Sequence, residues 1–259
     1  MDERLIAFER LLNIMDDLRE KCPWDKKQTI DTLRKLTIEE TYELSEAILQ
    51  QDWKGIKEEL GDLFLHLTFY AKIGKEQEQF DVAAVLNAVC EKLIHRHPHI
   101  YGDVVVQDEE EVKRNWEQLK LKEGKKTVLQ GVPNSLPPIN KAQRIQDKVR
   151  AVGFDWDNKE QVMEKVAEEL SELKEAVESQ NQEEIEMELG DVFFALINYA
   201  RFINVDAEAA LEKTNQKFTK RFNWMEAYAN QHQLNMNDMN LEQLDKIWDL
   251  AKQALNQPT

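Results

Sequence analysis

Cysteine, long apolar runs and positive charge are all scarce in this chain of 259 residues. With only Cys22 and Cys90, no disulfide framework is available, and we expect both to be buried thiols in a reducing cytoplasm. No apolar run approaches the ~18 residues that a membrane-spanning helix requires, so we expect no membrane association. The 34 Lys and Arg residues are outnumbered by 50 Asp and Glu, and this net charge of -16 argues against direct nucleic-acid binding.

Glycine and proline are also few, at 8 and 6 residues, and they concentrate where the helical pattern is interrupted. Apolar residues recur at helical spacing through both halves, and residues 104–106, the one weak strand-like run, are interpreted as a loop. Residues 123–138 carry the densest group of helix breakers and are predicted to form a linker. The predicted fold is therefore all-α, with two tandem helical-bundle domains at residues 1–122 and 139–259, the first ending in a helix over 109–122.

One acidic pattern occurs twice, once in each half of the chain, and every acid of the second copy is displaced from the first by the same number of positions. Each copy has two glutamates at i and i+3, followed later by a Glu-Leu-Gly-Asp tetrapeptide. The acids are Glu40, Glu43, Glu59 and Asp62 in the first copy, and Glu169, Glu172, Glu188 and Asp191 in the second. Residues i and i+3 of a helix share a face, so two such helices packed antiparallel bring four carboxylates together.

The acids share helical rows with apolar residues, which predicts that they face the interior. Glu188, for example, lies on the row of Ile185 and Val192. Buried unpaired carboxylates are costly, and a divalent cation that prefers oxygen ligands removes that cost. We therefore predict that both quartets bind Mg²⁺, with Mn²⁺ as the alternative ion. Gly61 and Gly190, beside the acids, predict close approach of a helix or ligand.

A di-iron carboxylate bundle is the competing interpretation, and it requires Glu-x-x-His at i,i+3. Neither copy supplies that histidine. His66 is the nearest, and its counterpart in the second half is Ala195. Ligation by oxygen alone favours Mg²⁺ and Mn²⁺ over iron and zinc.

A second duplicated group combines cations with a tryptophan. In the second half it consists of Lys217, Arg221, Trp248 and Lys252. The matching residues of the first half are Lys92, Arg96, Trp116 and Lys120. The cations suit phosphate oxygens and the indole suits a nucleobase, while neutralisation of nearby acids and core packing are the simpler interpretations. No Walker loop or glycine-rich dinucleotide motif is found, so phosphate chemistry here requires a metal.

The joint pattern resembles MazG-type nucleoside triphosphate pyrophosphohydrolases. The shared features are the duplicated acidic motifs, CPWD at residues 22–25, GFDWD at residues 153–157 and the final Trp-x-x-x-Lys. The resemblance covers essentially the whole chain. It implies a helical-bundle fold, a homodimer, Mg²⁺ dependence, and hydrolysis of nucleoside triphosphates to the monophosphate and pyrophosphate as nucleotide-pool housekeeping.

The same resemblance assigns roles to the motif residues. It makes the second acidic quartet the catalytic metal site and the first quartet a matching metal site. Lys217, Arg221 and Lys252 are expected to contact phosphates, and Trp248 to help bind the nucleotide. The C-terminal domain is expected to be the main catalytic one, although the first repeat keeps every acid. Which glutamate acts as the general base is left open.

Two other functions remain open from the sequence. A non-catalytic, metal-binding helical scaffold would gain stability from Mg²⁺ without cleaving triphosphates. A narrow-specificity deoxynucleotide phosphohydrolase of the same superfamily would act on one substrate class only. The sequence contains no base-reading motif that separates a narrow enzyme from a broad one.

Overall fold

The computed structural model describes residues 2–108, 111–112, 115–116, 119 and 127–255. These residues form helices, turns and loops without strands, which confirms the all-α prediction. Most of the helix predicted over 109–122 lies outside the described residues. The predicted domain boundary at residue 122 and Lys120 lie outside them as well. The chain divides into two compact units, Met1–Leu119 and Lys120–Thr259.

The helices of the first unit begin close to the predicted positions. They are α1 (Glu3–Lys21), α2 (Ile30–Gln50), α3 (Trp53–Glu76), α4 (Val82–Arg96) and the short α5 (Pro98–Tyr101), with a 3-10 turn at Asp25–Lys27. Helix α3 packs against both α1 and α2. The core of the first unit is built from Met15, Leu33, Phe69 and Ile73.

The second unit has the same order of long helices. They are α6 (Pro138–Arg150), α7 (Lys159–Ser179), α8 (Gln182–Phe202), α9 (Ala207–Gln231) and α10 (Leu241–Leu255), with a 3-10 turn at Met236–Asp238. Helices α7 and α8 make the most extensive contact of the described elements, and α9 packs against α10. A smaller core of Met225, Ile247 and Ala251 lies between α9 and α10.

Each unit contains one helical hairpin that is closed by the same kind of turn. Helix α2 is followed by Gln51 in the left-handed region with φ 57°, and α7 by Gln180 with φ 58°. The next residue then caps the following helix, because the side chains of Asp52 and Asn181 accept hydrogen bonds from backbone N–H groups of its first turn. The tight turn makes α2–α3 and α7–α8 antiparallel neighbours.

Two local predictions were wrong. Asp157, with Glu160 three residues later, has the spacing of a capping box and predicts that Asp157 caps α7. The cap is instead Asn158, whose side chain accepts from the backbone N–H of Gln161 at 3.0 Å. The side chain of Gln161 in turn accepts from the backbone N–H of Asp157. The prediction of two buried thiols was also wrong. Cys90 is exposed, because it lies on α4, which has no buried residue, and Cys22 at the end of α1 is only partly buried.

The loop before each hairpin is anchored to the far end of that hairpin by an arginine–carboxylate pair. In the second unit, Arg201 at the end of α8 donates two hydrogen bonds to Asp155, at 2.8 and 2.5 Å, and two more to Asn198. In the first unit the two partners exchange places. The carboxylate, Glu76, lies at the end of α3, and the arginine that donates to it, Arg19, comes from α1. Arg19 also donates to backbone carbonyls of the loop.

Within the described part of the chain, no helix has the length and apolar character needed to cross a membrane.

We predict that Arg201→Ala lowers the free energy of unfolding by about 3 kcal/mol, because it removes both short hydrogen bonds of an ion pair in a largely desolvated place. The carboxylate of Asp155 then keeps only the longer ion pair with Arg150, at 3.8 Å, and the backbone N–H of Trp156. The side chains of Arg201 and Asp155 are only 11% and 19% exposed. Chemical denaturation followed by circular dichroism measures the change.

Lys246→Ala is the matched control, since its pair with Glu242 joins side chains that are 70% and 79% exposed. Loss of that exposed pair should change the free energy of unfolding by less than about 0.5 kcal/mol. Equal effects of the two substitutions would contradict an anchoring role for Arg201.

Candidate active site

The hairpin of the second unit brings three carboxylates together. Glu169 and Glu172 lie on α7, Glu188 lies on α8, and each offers an oxygen within 4.8 Å of the others. Glu169 is only 7% exposed because it continues the buried row of Val162 and Val166. This group is called the second triplet below.

The first unit repeats this arrangement at matching positions. Glu40 and Glu43 lie on α2, Glu59 lies on α3, and their oxygens meet the same 4.8 Å limit. This group is called the first triplet. Asp62 and Asp191 belong to neither triplet at that distance, although both are described residues. Their role as ligands stays a prediction.

The acids are less interior than their helical rows predicted. Glu43, Glu172 and both aspartates are exposed, whereas Glu40, Glu59 and Glu188 are half-buried. The reason is geometric: three residues advance a helix by about 300°, so the second acid of each Glu-x-x-Glu pair points about 60° away from the buried row. The pair therefore spans the edge of the hairpin, with one carboxylate inside and one facing solvent.

The first triplet is electrostatically strained. Desolvation raises the pKa of Glu40, and the charges of Asp62 and Glu43 add to that effect. Desolvation also raises the pKa of Glu59, and a hydrogen bond with Glu40 contributes further. The pKa of Glu43 is raised by desolvation and then by the charge of Glu59. No ion pair to these three acids is found in the described part of the chain.

The second triplet differs because a lysine contacts it. Lys165 Nζ lies 2.7 Å from an oxygen of Glu169 and 2.7 Å from an oxygen of Glu168. These hydrogen bonds raise the pKa of Lys165. Desolvation and the charge of Glu169 raise the pKa of Glu172, and the charge of Lys165 opposes them. Lys165 was not among the residues predicted from the sequence, although its i,i+4 spacing to Glu169 was visible there.

The donor set of both triplets suits a hard divalent cation. Each triplet supplies three carboxylates and no imidazole or thiolate, which matches the preference of Mg²⁺ and Mn²⁺ for oxygen. In the first triplet, Glu59 Oε2 is buried without a hydrogen-bond partner. A buried carboxylate oxygen in that condition is costly unless a cation satisfies it.

The glycines beside the acids do not mark close packing. A Cβ atom built on Gly61 or Gly190 would meet no described atom within 4 Å beyond the backbone of its own helix. The prediction of close helix approach at these two positions was therefore wrong. The open space beside the acids leaves room for a ligand there.

Helices α9 and α10 bring two of the four predicted substrate-binding residues together. The guanidinium of Arg221 lies 5.7 Å from the centre of the Trp248 ring. The centre of the Phe218 ring lies 5.0 Å from the centre of the same Trp248 ring. Lys252 donates to Asp249 at 2.9 Å, and Lys217 is exposed one turn before Arg221. Phe218 was not among the predicted substrate-binding residues. The only indication of it in the sequence was its position one residue after Lys217.

The matching tryptophan of the first unit has a different neighbour. The ring of His97 packs edge-on against Trp116 at 4.8 Å. His97 occupies the position that corresponds to Phe222 in the second unit. The surroundings of the two tryptophans therefore differ more than the two acidic triplets do.

Comparison with known protein families gives one match in each half of the chain. The MazG nucleotide pyrophosphohydrolase domain matches residues 28–101 and 157–225. The two matched stretches include both triplets, Asp62, Asp191, Lys217 and Arg221.

Full-length relatives are similar over nearly the whole chain. The nucleoside triphosphate pyrophosphohydrolase/pyrophosphatase MazG of Thermotoga maritima is 43% identical over 97% of this chain and 98% of its own. The nucleoside triphosphate pyrophosphohydrolase of Escherichia coli K12 is 39% identical over 95% of this chain and 97% of its own. A crystal structure of a mazG-related protein from Thermotoga maritima covers 43% of this chain and 97% of its own, with 31% identity and a TM-score of 0.39.

The raised pKa values of the first triplet predict how stability depends on pH without added metal. A raised pKa means that the folded chain holds more protons than the unfolded chain above the ordinary carboxylate pKa of about 4.3. The melting temperature in EDTA should therefore fall as the pH rises from about 5 to about 7.5. Calorimetry or circular dichroism across this range measures it.

Glu43→Gln should raise the melting temperature at the upper end of that range, because it removes one of the repelling charges. Glu91→Gln, at an exposed position on α4, is the control and should leave the melting temperature unchanged. A melting temperature of Glu43→Gln at or below that of the control would show that the triplet is not strained.

Proposed function

Because the chain belongs to the MazG family of nucleotide pyrophosphohydrolases, we propose that it hydrolyses nucleoside triphosphates, ribo- and deoxy-, to the monophosphate and pyrophosphate with Mg²⁺. The observation that carries this proposal is the second triplet, where three carboxylates of two helices offer oxygens within 4.8 Å of one another. Family membership favours an enzyme over the non-catalytic scaffold. Nucleotide-pool housekeeping in the cytoplasm is the setting that this activity fits.

The second triplet would hold the metal, with Asp191 as a further candidate ligand. Mg²⁺, or Mn²⁺ in its place, supplies Lewis-acid stabilisation of phosphate oxygens and lowers the pKa of water when bound. Glu169 is too buried to meet bulk water, whereas Glu172 faces solvent. Glu172 is therefore our candidate for the base that accepts a proton from the attacking water, since a general base must be within reach of that water.

In the proposed reaction, water attacks the α-phosphorus and the bond to the bridging oxygen breaks, so that pyrophosphate leaves. Positioning and charge compensation supply most of the acceleration in such a transfer. Lys217, Arg221 and Lys252 would bind phosphate oxygens, and Trp248 would pack against the base. The contact of Arg221 with Trp248 supports this grouping, because it places a phosphate-binding fork beside an aromatic surface.

Product analysis tests the reaction itself. The purified chain is incubated with Mg²⁺ and a panel of ribo- and deoxynucleoside triphosphates, and nucleotides and pyrophosphate are quantified. Monophosphate with equimolar pyrophosphate is expected. Diphosphate with orthophosphate would overturn attack at the α-phosphorus. Cleavage of a single deoxynucleotide would instead favour the narrow-specificity enzyme of the same superfamily.

A pair of substitutions separates the proposed roles. Glu172→Ala should lower kcat by about 10²- to 10³-fold, because a group that acts in the transition state is lost. Arg221→Ala should mainly raise KM, because a phosphate contact present in the ground state is lost. Steady-state kinetics measures both values, and circular dichroism controls for folding. Retained turnover in Glu172→Ala would contradict the assignment of the second repeat as the active one. Glu43→Ala would then test whether the first repeat is active.

We also propose that the protein is a homodimer, as the family resemblance implied. Its support in the structure is an exposed apolar stripe that recurs in both hairpins, at the same displacement along the chain as the acids. The stripe consists of Leu60, Phe64 and Leu67 on α3, and Leu189, Phe193 and Leu196 on α8. Phe64 is 53% exposed and Phe193 58%, which is unusual for aromatic residues at interior-type helical spacing.

Sedimentation equilibrium should give about twice the chain mass of 30.4 kDa. Phe193→Ser should shift the protein toward the monomer, because it removes an aromatic side chain from the centre of one stripe. Phe80→Ser is the control at an exposed phenylalanine outside both stripes. A monomeric wild-type chain at micromolar concentration would contradict the dimer.

A further inference from the structure

Both triplets lie within a larger set of acids that recurs in the two repeats. Five acids recur at one constant displacement along the chain, and they lie on the same two helices of each hairpin. The pairs are Glu39 with Glu168, Glu40 with Glu169, Glu43 with Glu172, Glu59 with Glu188, and Asp62 with Asp191. Any difference in cation binding between the repeats must therefore come from other side chains that reach these acids.

Lys165 is the side chain that breaks the match. Its Nζ contacts Glu169 and Glu168 at 2.7 Å each, so the second triplet has a positive charge on its most buried acid. Lys165 is itself 36% exposed at the side chain, whereas Glu169 is 9% exposed. The lysine therefore reaches into the hairpin from its edge.

The matching position of the first repeat holds Leu36. Leu36 is a partly buried residue that packs against the core of the first unit, and it offers no charge to the acids. Within the described residues, no lysine, arginine or histidine forms an ion pair with the first triplet.

We infer that Lys165 weakens divalent-cation binding at the second triplet, so that the first repeat holds the cation more tightly than the second. The inference rests on the metal binding proposed above. By Coulomb's law, a positive charge about 5 to 6 Å from a divalent ion lowers its affinity roughly tenfold even at the dielectric constant of water. Lys165 also occupies lone pairs of Glu169 that the cation would otherwise use.

A functional difference between the repeats follows from this asymmetry. At cation concentrations between the two Kd values, the first triplet is mostly filled while the second is mostly empty. The second repeat then depends more on the negative charge that a triphosphate brings with it. Lys165 thus makes cation loading depend on substrate in the second repeat, whereas the first repeat has no charge at the matching position, Leu36.

Binding of Mn²⁺ to the full chain, followed by the loss of the free-ion EPR signal, tests the inference without any turnover. We expect two classes of site whose Kd values differ about tenfold. Glu43→Gln should abolish the tighter class and Glu172→Gln the weaker one. Lys165→Met should tighten the weaker class by about tenfold and leave the tighter class unchanged.

Two control substitutions keep the result specific. Lys165→Arg retains the charge and should retain the weak class. Lys159→Met removes a lysine from the same helix, where its pair with Glu160 is 3.9 Å long and its side chain 58% exposed, and it should change neither class. Two equal sites in the wild-type chain, or a weak class unchanged by Lys165→Met, would overturn the inference alone. No Mn²⁺ binding at all would overturn the proposed metal site together with it.

Discussion

Repulsion among carboxylates on one helical hairpin is the constraint on which the rest of each unit depends. In the first hairpin, three glutamates have raised pKa values, and one carboxylate oxygen is buried without a partner. Such a group opposes the packing of the two helices that carry it. The hairpin is therefore held elsewhere, by the capped turn at Asp52 and by Arg19 of α1, which donates both to Glu76 at the end of α3 and to the backbone of the loop before α2.

The sequence was sufficient to predict the hairpins because two independent signals agree there. Apolar spacing indicates where each helix runs, and the constant displacement between the two acidic motifs shows that the same pair of helices occurs twice. The capping residues Asp52, Asn181 and Asp206 then fix the starts of helices, since their short side chains accept from free N–H groups. The meeting of Glu169 with Glu188 follows from these two signals together with the caps.

The sequence does not predict which of two equivalent neighbouring residues makes a given hydrogen bond or ion pair. Asp157 and Asn158 are both good caps, and only the hydrogen bonds with Gln161 decide that Asn158 begins α7. Lys165 is similar, because a lysine four residues before a glutamate is ordinary on an exposed helix. Its importance arises from packing, which places the same glutamate against the other acids of the hairpin. A contact of that kind depends on tertiary structure, and no periodicity in the sequence predicts it.

The two repeats differ in how strictly they keep each kind of interaction. The loop anchors are both arginine–carboxylate pairs, yet the arginine comes from α1 in the first unit and from the end of α8 in the second. A bidentate ion pair works in either direction, so the supporting contact is free to exchange its donor and acceptor. The proposed cation site would have no such freedom, because only oxygen-bearing side chains at set positions can surround a Mg²⁺ ion. The acids are accordingly identical in type and spacing in both hairpins, while the contacts that support them have diverged.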